Sequence, residues 1–308
     1  MTALLELEGV RFGYHERVVI AGASLKLAAG EIFALLGSNG AGKTTLVKLI
    51  TGRYQPKAGI IRLLGGDPAA QRRAVGLAPQ EIGVYPHLSA RENVATFARL
   101  AGLPRTAIAA ATEAALEAAQ LTPRADEPVA RLSGGYQRRV NLAAAIAHQP
   151  TLLLLDEPVA GVDLEAVEAI EQVIRARARA GCGVLLITHD LEQAQRLADR
   201  VGFLLEGRLE RQGTPRQLLQ QAFGDSRMLK LELVSPPDEG QQRSLRSHGL
   251  EPGDDACCWS GRAAESAASL ESLRHTLEDD AGIPLRALCL HRPTLASLFQ
   301  RLTRKPSA

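Results

Sequence analysis

The sequence predicts an α/β protein built on a parallel sheet, with a small α/β appendage behind it. Three observations carry that expectation. TLLLLDEP (151–158) and GVLLITHD (183–190) are short and largely apolar, as strands buried on both faces of a sheet are. Between them, LEAVEAIEQVIRARARAG (164–181) repeats its apolar residues at helical spacing and stops at Gly181. Strand, helix and strand in that order make a parallel crossover.

In chain order, ALLELEGVRF (3–12), RVVIAG (17–22), ASLKLAAG (23–30) and EIFALLG (31–37) read as strands with turn residues between them. EIFALLG enters a Gly-rich loop and then a helix, TTLVKLITG, that stops at Gly52. GIIRLLGG (59–66) and AVGLAPQ (74–80) are two further strands. From about Ser89 to Gln120 the chain is Ala-rich and helical, and Ser89–Glu92 has the S-x-x-E spacing of a capping box. YQRRVNLAAAIAH (136–148) is a helix on which Arg138-Arg139 reads as a solvated face. LEQAQRLADR (191–200) is another helix, and VGFLLEGRLERQG (201–213) a hairpin turning at Glu206-Gly207. Past Phe223 the texture changes. Pro236–Gly240 and Glu251–Asp255 read as loops, LKLELV, ACCWSG and LRALCL as strands, and about Ser266–Leu277 and Thr294–Thr303 as helices. The expected division is therefore 1–222 and 223–308.

Length agrees with that division, since 308 residues at roughly 150 per domain make two. Lys+Arg 36 against Asp+Glu 34 leaves +2, which excludes a strongly basic nucleic-acid coat and an acidic tail. No stretch approaches the roughly 18 uninterrupted apolar residues of a membrane span. Glu6 and Glu8 stand where a signal peptide needs a positive start and an apolar core, so a cytoplasmic chain is expected. Cys182, Cys257, Cys258 and Cys289 have no metal spacing and read as free thiols.

Gly37-Ser38-Asn39-Gly40-Ala41-Gly42-Lys43-Thr44 fits G-x-x-x-x-G-K-[ST] between a buried strand and a helix. Glycines there let backbone N–H groups curl round phosphate oxygens, and the helix N-terminus adds partial positive charge. Lys43 is expected to reach the β- and γ-phosphates and Thr44 to ligate Mg2+, with Thr45 beside it. Asp156-Glu157 ends the LLLL strand at the carboxyl edge, where α/β sheets bind ligands. Asp156 is expected to hold Mg2+ and Glu157 to polarise the attacking water. These residues suit a kinase or GTPase as well as an ATP-driven machine.

Leu132-Ser133-Gly134-Gly135-Tyr136-Gln137 decides between them. With this segment shortly before the LLLLDEP strand, residues 1–222 resemble the ATP-binding cassette (ABC) family. The resemblance implies a P-loop NTPase with a RecA-like core, an N-terminal antiparallel β-subdomain and an α-helical signature subdomain. It places Tyr14 at the adenine, Gln80 at the metal and the attacking water, Asp163 in the D-loop (Gly161-Val162-Asp163), and His189 of Thr188-His189-Asp190 at the γ-phosphate. Ser133, Gly134 and Gly135 would contact ATP held by a second copy, because family members close two cassettes over shared nucleotide. ATP and Mg2+ are the implied ligands. A homodimer and a separate transmembrane permease are the implied partners, with no nucleic acid. The implied place is the cytoplasmic side of the inner membrane.

The match has departures. Tyr136 stands for the usual Gln of the signature, Val159 for the Ser or Thr after DEP, and Val162 for a commoner Leu. None removes a phosphate-contacting group. Pro293–Phe299 is similar to the ending of ATPase subunits of ABC-2-type exporters, and Leu295, Leu298, Phe299 and Leu302 form a helical stripe. An exporter ATPase is the expected function. A soluble cassette ATPase acting on DNA or ribosomes, or an importer subunit, are the alternatives.

Overall fold

The computed structural model describes residues 3–253, 255–263 and 267–303. The chain forms two compact units, Met1–Pro215 and Arg216–Ala308. The division falls ahead of the 222/223 boundary read from texture.

The first unit begins with strands β1 (Leu5–Tyr14), β2 (Arg17–Leu27) and β3 (Ile32–Leu36), then helix α1 (Lys43–Ile50), β4 (Ala58–Leu63) and β5 (Val75–Ala78). Helices α2 (Ala90–Leu100), α3 (Arg105–Ala118) and α4 (Gly134–Ile146) follow. The chain returns through β6 (Leu152–Asp156), α5 (Leu164–Arg179), β7 (Gly183–Thr188), α6 (Leu191–Leu197), β8 (Arg200–Leu205) and β9 (Arg208–Gly213).

A three-stranded sheet in the order β2-β1-β4 pairs antiparallel throughout. The two strands expected at 17–22 and 23–30 are one strand, β2. Gly22 lies at φ 119 between the pairs Val10↔Ala23 and Arg11↔Ala21, so it is the extra residue of a bulge and does not end the strand. The main sheet has the order β5-β6-β7-β3-β8-β9. Its first five strands run parallel, and β9 closes as a hairpin on β8.

Leu153 and Leu155 of β6, with Val184 and Leu186 of β7, pack into a core shared with Val94, Leu116, Val140 and Ile170. Leu152, Leu154, Leu185 and Ile187 face the opposite core with Leu5, Leu25, Leu46 and Leu49. Alternate side chains of each strand thus serve two layers, which is why these strands are apolar without interruption. The capping box forms at α2: Ser89 Oγ accepts from Glu92 N–H at 3.1 Å, and Glu92 Oε2 from Ser89 N–H at 2.8 Å.

Register places the site. Leu36 pairs with Thr188 across β3 and β7, and Asp156 with Ile187 across β6 and β7. Residues 37–44, 156–157 and 189 therefore leave three neighbouring parallel strands at one edge.

Helix α7 (Pro215–Phe223) leads into the second unit, which continues through β10 (Arg227–Leu233), α8 (Glu239–Ser247), β11 (Leu250–Pro252), β12 (Cys258–Ala263), α9 (Ala267–His275), β13 (Leu285–His291) and α10 (Leu295–Thr303). Strand order β11-β12-β10-β13, antiparallel throughout, is a split β-α-β arrangement. Leu229, Leu231, Leu233, Leu245, Trp259 and Leu277 form its core.

Two loops expected here are partly structured. Within 236–240, Asp238 caps α8 in a reciprocal box with Gln241. Within 251–255, Glu251 and Pro252 extend β11, an edge strand where proline costs no ladder bond. Asp254 and Ser266 lie outside the described residues.

Candidate functional site

The phosphate loop connects β3 to α1, and its glycines have structural work. Gly40 at φ 81 and Gly42 at φ 106 take left-handed backbone. A Cβ on Gly42 would stand 2.7 Å from Ile20 Cδ1, and one on Gly37 2.5 Å from Leu204 O. Lys43, 8% exposed, curls back over its own loop and donates to Gly37 O at 2.5 Å and Ser38 O at 3.1 Å. Those two carbonyls hold the Lys43 ammonium group over the loop.

A cleft of about 510 Å3 opens at this edge. Tyr14, Ser38, Asn39, Gly40, Gly42, Lys43, Thr44, Thr45, Gln80, Asp156, Glu157 and His189 line it. Gly37 and Ala41 of the same loop are buried and do not line the cleft. Twelve expected residues from five chain segments thus meet in one cleft. Tyr14 belongs to a ring cluster, 5.2 Å edge-on from Phe12 and 5.8 Å from Tyr54, and is 38% exposed toward the opening.

The two carboxylates differ. Burial pushes the Asp156 carboxyl above its ordinary range, the Glu157 charge adds to this, and Lys43 opposes it. Burial lowers the Lys43 pKa, against the pull of Glu157 and Asp156. Each is a charge taken out of water without enough opposite charge around it. Glu157 sits at φ 50, rare for a residue with a side chain, and its carboxylate is held from three sides. His189 N–H donates to Oε1 at 2.9 Å, His189 Nδ1 lies 2.7 Å from Oε1, and Thr188 Oγ1 donates to Oε2 at 3.3 Å.

The fit of ATP and Mg2+ follows from this donor set. The glycine cradle and the buried ammonium suit a polyphosphate anion, and the Asp156 carboxylate and Thr44 hydroxyl that line the same cleft are hard oxygen donors that suit Mg2+. A polyphosphate with its Mg2+ supplies both.

Ser133, Gly134, Gly135 and Asp163 do not line this cleft. They meet one another elsewhere: a Cβ on Gly135 would stand 2.8 Å from Ala166 Cβ and 3.6 Å from Asp163 Oδ2. Asp163 caps α5, accepting from Ala166 N–H at 2.9 Å. Ser133 caps α4 with no side-chain bond to the helix, and it and Gly134 are exposed. A hydroxyl and the N–H groups of a helix's first turn are thus exposed together at this end of α4.

Several functional contacts escape sequence reading. Arg17 and Val19 line the cleft. Arg138-Arg139 is not a solvated face. Arg139 is 4% exposed, with its guanidinium 4.0 Å from the Tyr136 ring centre, and Arg138 donates to Gln80 O. Tyr136 thus packs against Arg139 and also Arg124, whose guanidinium carbon is 5.1 Å from the ring centre. Gln137 Nε2 bonds back to Leu132 O at 2.9 Å and Val129 O at 3.2 Å, tying down the signature loop. The Arg138–Gln80 contact joins segments 58 positions apart, which the order of the sequence does not bring together.

Comparison with known proteins gives the same picture. Residues 20–160 match the family model described as "ABC transporter". "Nod factor export ATP-binding protein I" of Ralstonia nicotianae is 34% identical over 315 residues, covering 98% of this chain and 94% of that protein. Its namesake in Burkholderia thailandensis is 38% identical over 310 residues, covering 98% and 97%. Among solved structures, an "ATP binding subunit of ABC transporter" superposes with a TM-score of 0.66 at 30% identity, over 71% of this chain and 93% of that one. Clostridium perfringens cbiO1, part of the ABC transporter complex cbiONQ, gives 0.66 at 26% identity, over 72% and 92%. Likeness along nearly the whole chain, on a sheet edge that gathers a phosphate loop and a carboxylate pair, leaves one assignment: the chain belongs to the ABC transporter family, as an ATP-binding and ATP-hydrolysing subunit.

Proposed function

We propose that the chain powers an exporter of the ABC-2 type, as a homodimer held against a separate permease at the cytoplasmic face of the membrane. The observation that carries this is the end-to-end match to relatives named as export ATP-binding proteins, which includes the second unit. Among the described residues no helix is long and apolar enough to cross a membrane, and in this reading the path for cargo belongs to the permease.

In this reading Tyr14 stacks on the adenine. The N–H groups of residues 37–45 and the Lys43 ammonium hold the phosphates, and Thr44, Gln80 and Asp156 hold Mg2+. Bound Mg2+ neutralises phosphate charge. Glu157, aimed by Thr188 and His189, accepts the proton of the attacking water, and the His189 ring faces the γ-phosphate. Ser133 and Gly134 of a second copy complete the site, which accounts for a helix end whose donors face outward. The isologous contact is self-complementary under C2 symmetry. The near-balanced charge supports a protein partner over nucleic acid.

The test is co-purification. The tagged chain, expressed with the membrane protein encoded beside it, should come out of detergent as a complex whose ATPase depends on Glu157. Efflux from inside-out vesicles should require the same residue. Uptake into whole cells, or recovery with ribosomes instead of membranes, would replace this reading with one of the alternatives.

A further inference from the structure

The loop that carries Gln80 into the nucleotide cleft is held by one face of the helix that begins at the signature. β5 ends at Ala78, and α4 takes the next two carbonyls. Asn141 Nδ2 donates to Pro79 O at 3.1 Å, and Arg138 Nη1 donates to Gln80 O. Asn141 Oδ1 accepts from Gly83 N–H at 3.3 Å, which closes the loop from its far side. Past the helix end, the His148 Nε2 atom lies 3.2 Å from Val75 O, where β5 starts. Positions 138, 141 and 145 are three and four residues apart and so share a face of α4. The helix lies so close to the strand that a Cβ on Gly76 would collide with Ala145 O. Helix and strand are therefore seated without slack, and two polar side chains reach beyond the strand end to the loop.

Asn141 is 5% exposed, and its amide spends both a donor and an acceptor on the loop. Arg138 is half-buried: burial lowers its pKa, and the Glu157 charge opposes this. The side chain of Gln80 lines the cleft while its own carbonyl is gripped from behind. A displacement of α4 must therefore carry Gln80 with it, or break these bonds.

We propose that Arg138 and Asn141 are positioning residues for Gln80: they form a clamp through which the seating of the signature helix sets where Gln80 stands at the metal-binding end of the cleft. This rests on Gln80 as a Mg2+ ligand, the reading proposed above. It assigns the helix a second task beside presenting Ser133 and Gly134. The helix end that meets the second copy and the loop that meets the metal then move as one piece.

The test uses the full chain with Arg138→Ala, Arg138→Lys, Gln80→Ala and the double variant Arg138→Ala/Gln80→Ala, each checked for an unchanged melting curve. Hydrogen exchange of peptides covering 79–84 reads the clamp without nucleotide, and the Mg2+ concentration at half-maximal ATPase reads the metal site. Arg138→Ala should speed exchange in 79–84 and raise the Mg2+ midpoint by about tenfold, the usual effect of losing an outer partner of a metal ligand. ATP affinity measured without Mg2+ should not change. Arg138→Lys should restore most of both, since an ammonium still donates to a carbonyl. The double variant should be no worse than Gln80→Ala alone. Unchanged exchange and midpoint in Arg138→Ala, or a double variant whose loss is the product of the two singles, would overturn the clamp. A silent Gln80→Ala would overturn the metal-ligand reading and the clamp's purpose with it, a result distinct from a silent Arg138→Ala.

Discussion

Oε1 of Glu157 lies 2.7 Å from Nδ1 of His189 and accepts from the His189 backbone N–H at 2.9 Å. The carboxylate side chain is 7% exposed and the imidazole 67%, so a buried carboxylate is held by a group that itself reaches solvent. The left-handed backbone at Glu157 turns this side chain back toward the end of β7, where Thr188 Oγ1 holds the other oxygen. Such strain persists only where surrounding contacts over-determine it.

Glu157→Gln should bind ATP as the wild type does and lose turnover by about 10^2–10^4-fold, the usual worth of a positioned base, because an amide cannot take the proton of water. His189→Ala should cost less, since the backbone N–H still holds Oε1. Steady-state ATPase beside fluorescent-nucleotide binding separates the two effects. A Glu157→Gln rate near wild type would move the base elsewhere.

What the sequence made legible was local. The phosphate loop is eight consecutive residues whose chemistry is complete within the motif, and β6 declares its burial by four leucines before Asp156-Glu157. What it hid depends on partners far along the chain. Arg138 and Gln80 are 58 positions apart, and nothing near Arg138 distinguishes a clamp from a solvated arginine. Tyr136 reads as a departure from a motif until Arg124 and Arg139 are seen packed against its ring. In the second unit, turn-forming residues masked a helix start, because Asp238 both ends a proline-rich loop and caps α8.

The signature glycines should differ in what they report. Gly135 abuts Ala166 and Asp163 of its own chain, so Gly135→Asp should destabilise the monomer by steric and like-charge conflict. A Cβ on Gly134 meets nothing within 4 Å. Gly134→Asp should therefore fold and bind ATP normally, yet set a carboxylate against the phosphates of a second copy. In a Glu157→Gln background with saturating ATP, light scattering should find dimers with Gly134 and monomers with Gly134→Asp. Dimers in both would place the signature away from the shared nucleotide.

Burial pushes the Cys182 thiol up to about 11 from the ordinary 9.0. The fold favours the neutral thiol, so its contribution is fully present below pH 9 and is lost as pH rises toward 11. Two pKa units correspond to about 2–3 kcal/mol at most. Urea titrations at pH 8.5 and 11 should show the wild type losing about 2 kcal/mol more than Cys182→Ala over that interval. Equal losses would mean the thiolate is tolerated in place. At pH 8 the exposed Cys289 should alkylate in the native state, and Cys182 only after unfolding.

Residues 1–215 should bind ATP by themselves. Every residue lining the nucleotide cleft lies in this unit, and so do the two cores on either side of its parallel sheet. The second unit has its own apolar core around Leu231 and Trp259, and Leu295 and Leu298 of α10 are buried while Phe299 and Leu302 are half-buried. A stop after Pro215 also removes α7 whole, save its first residue, and so leaves no partial helix behind. Nucleotide affinity of the truncated chain should then match that of the full chain within about threefold, roughly the 0.6 kcal/mol scatter of thermal energy. Export measured in cells at matched expression is the second arm. Normal binding with lost export would assign the second unit to coupling, through the permease or the second copy. A folded, monodisperse 1–215 that cannot bind ATP would show instead that the nucleotide site depends on residues beyond the cleft.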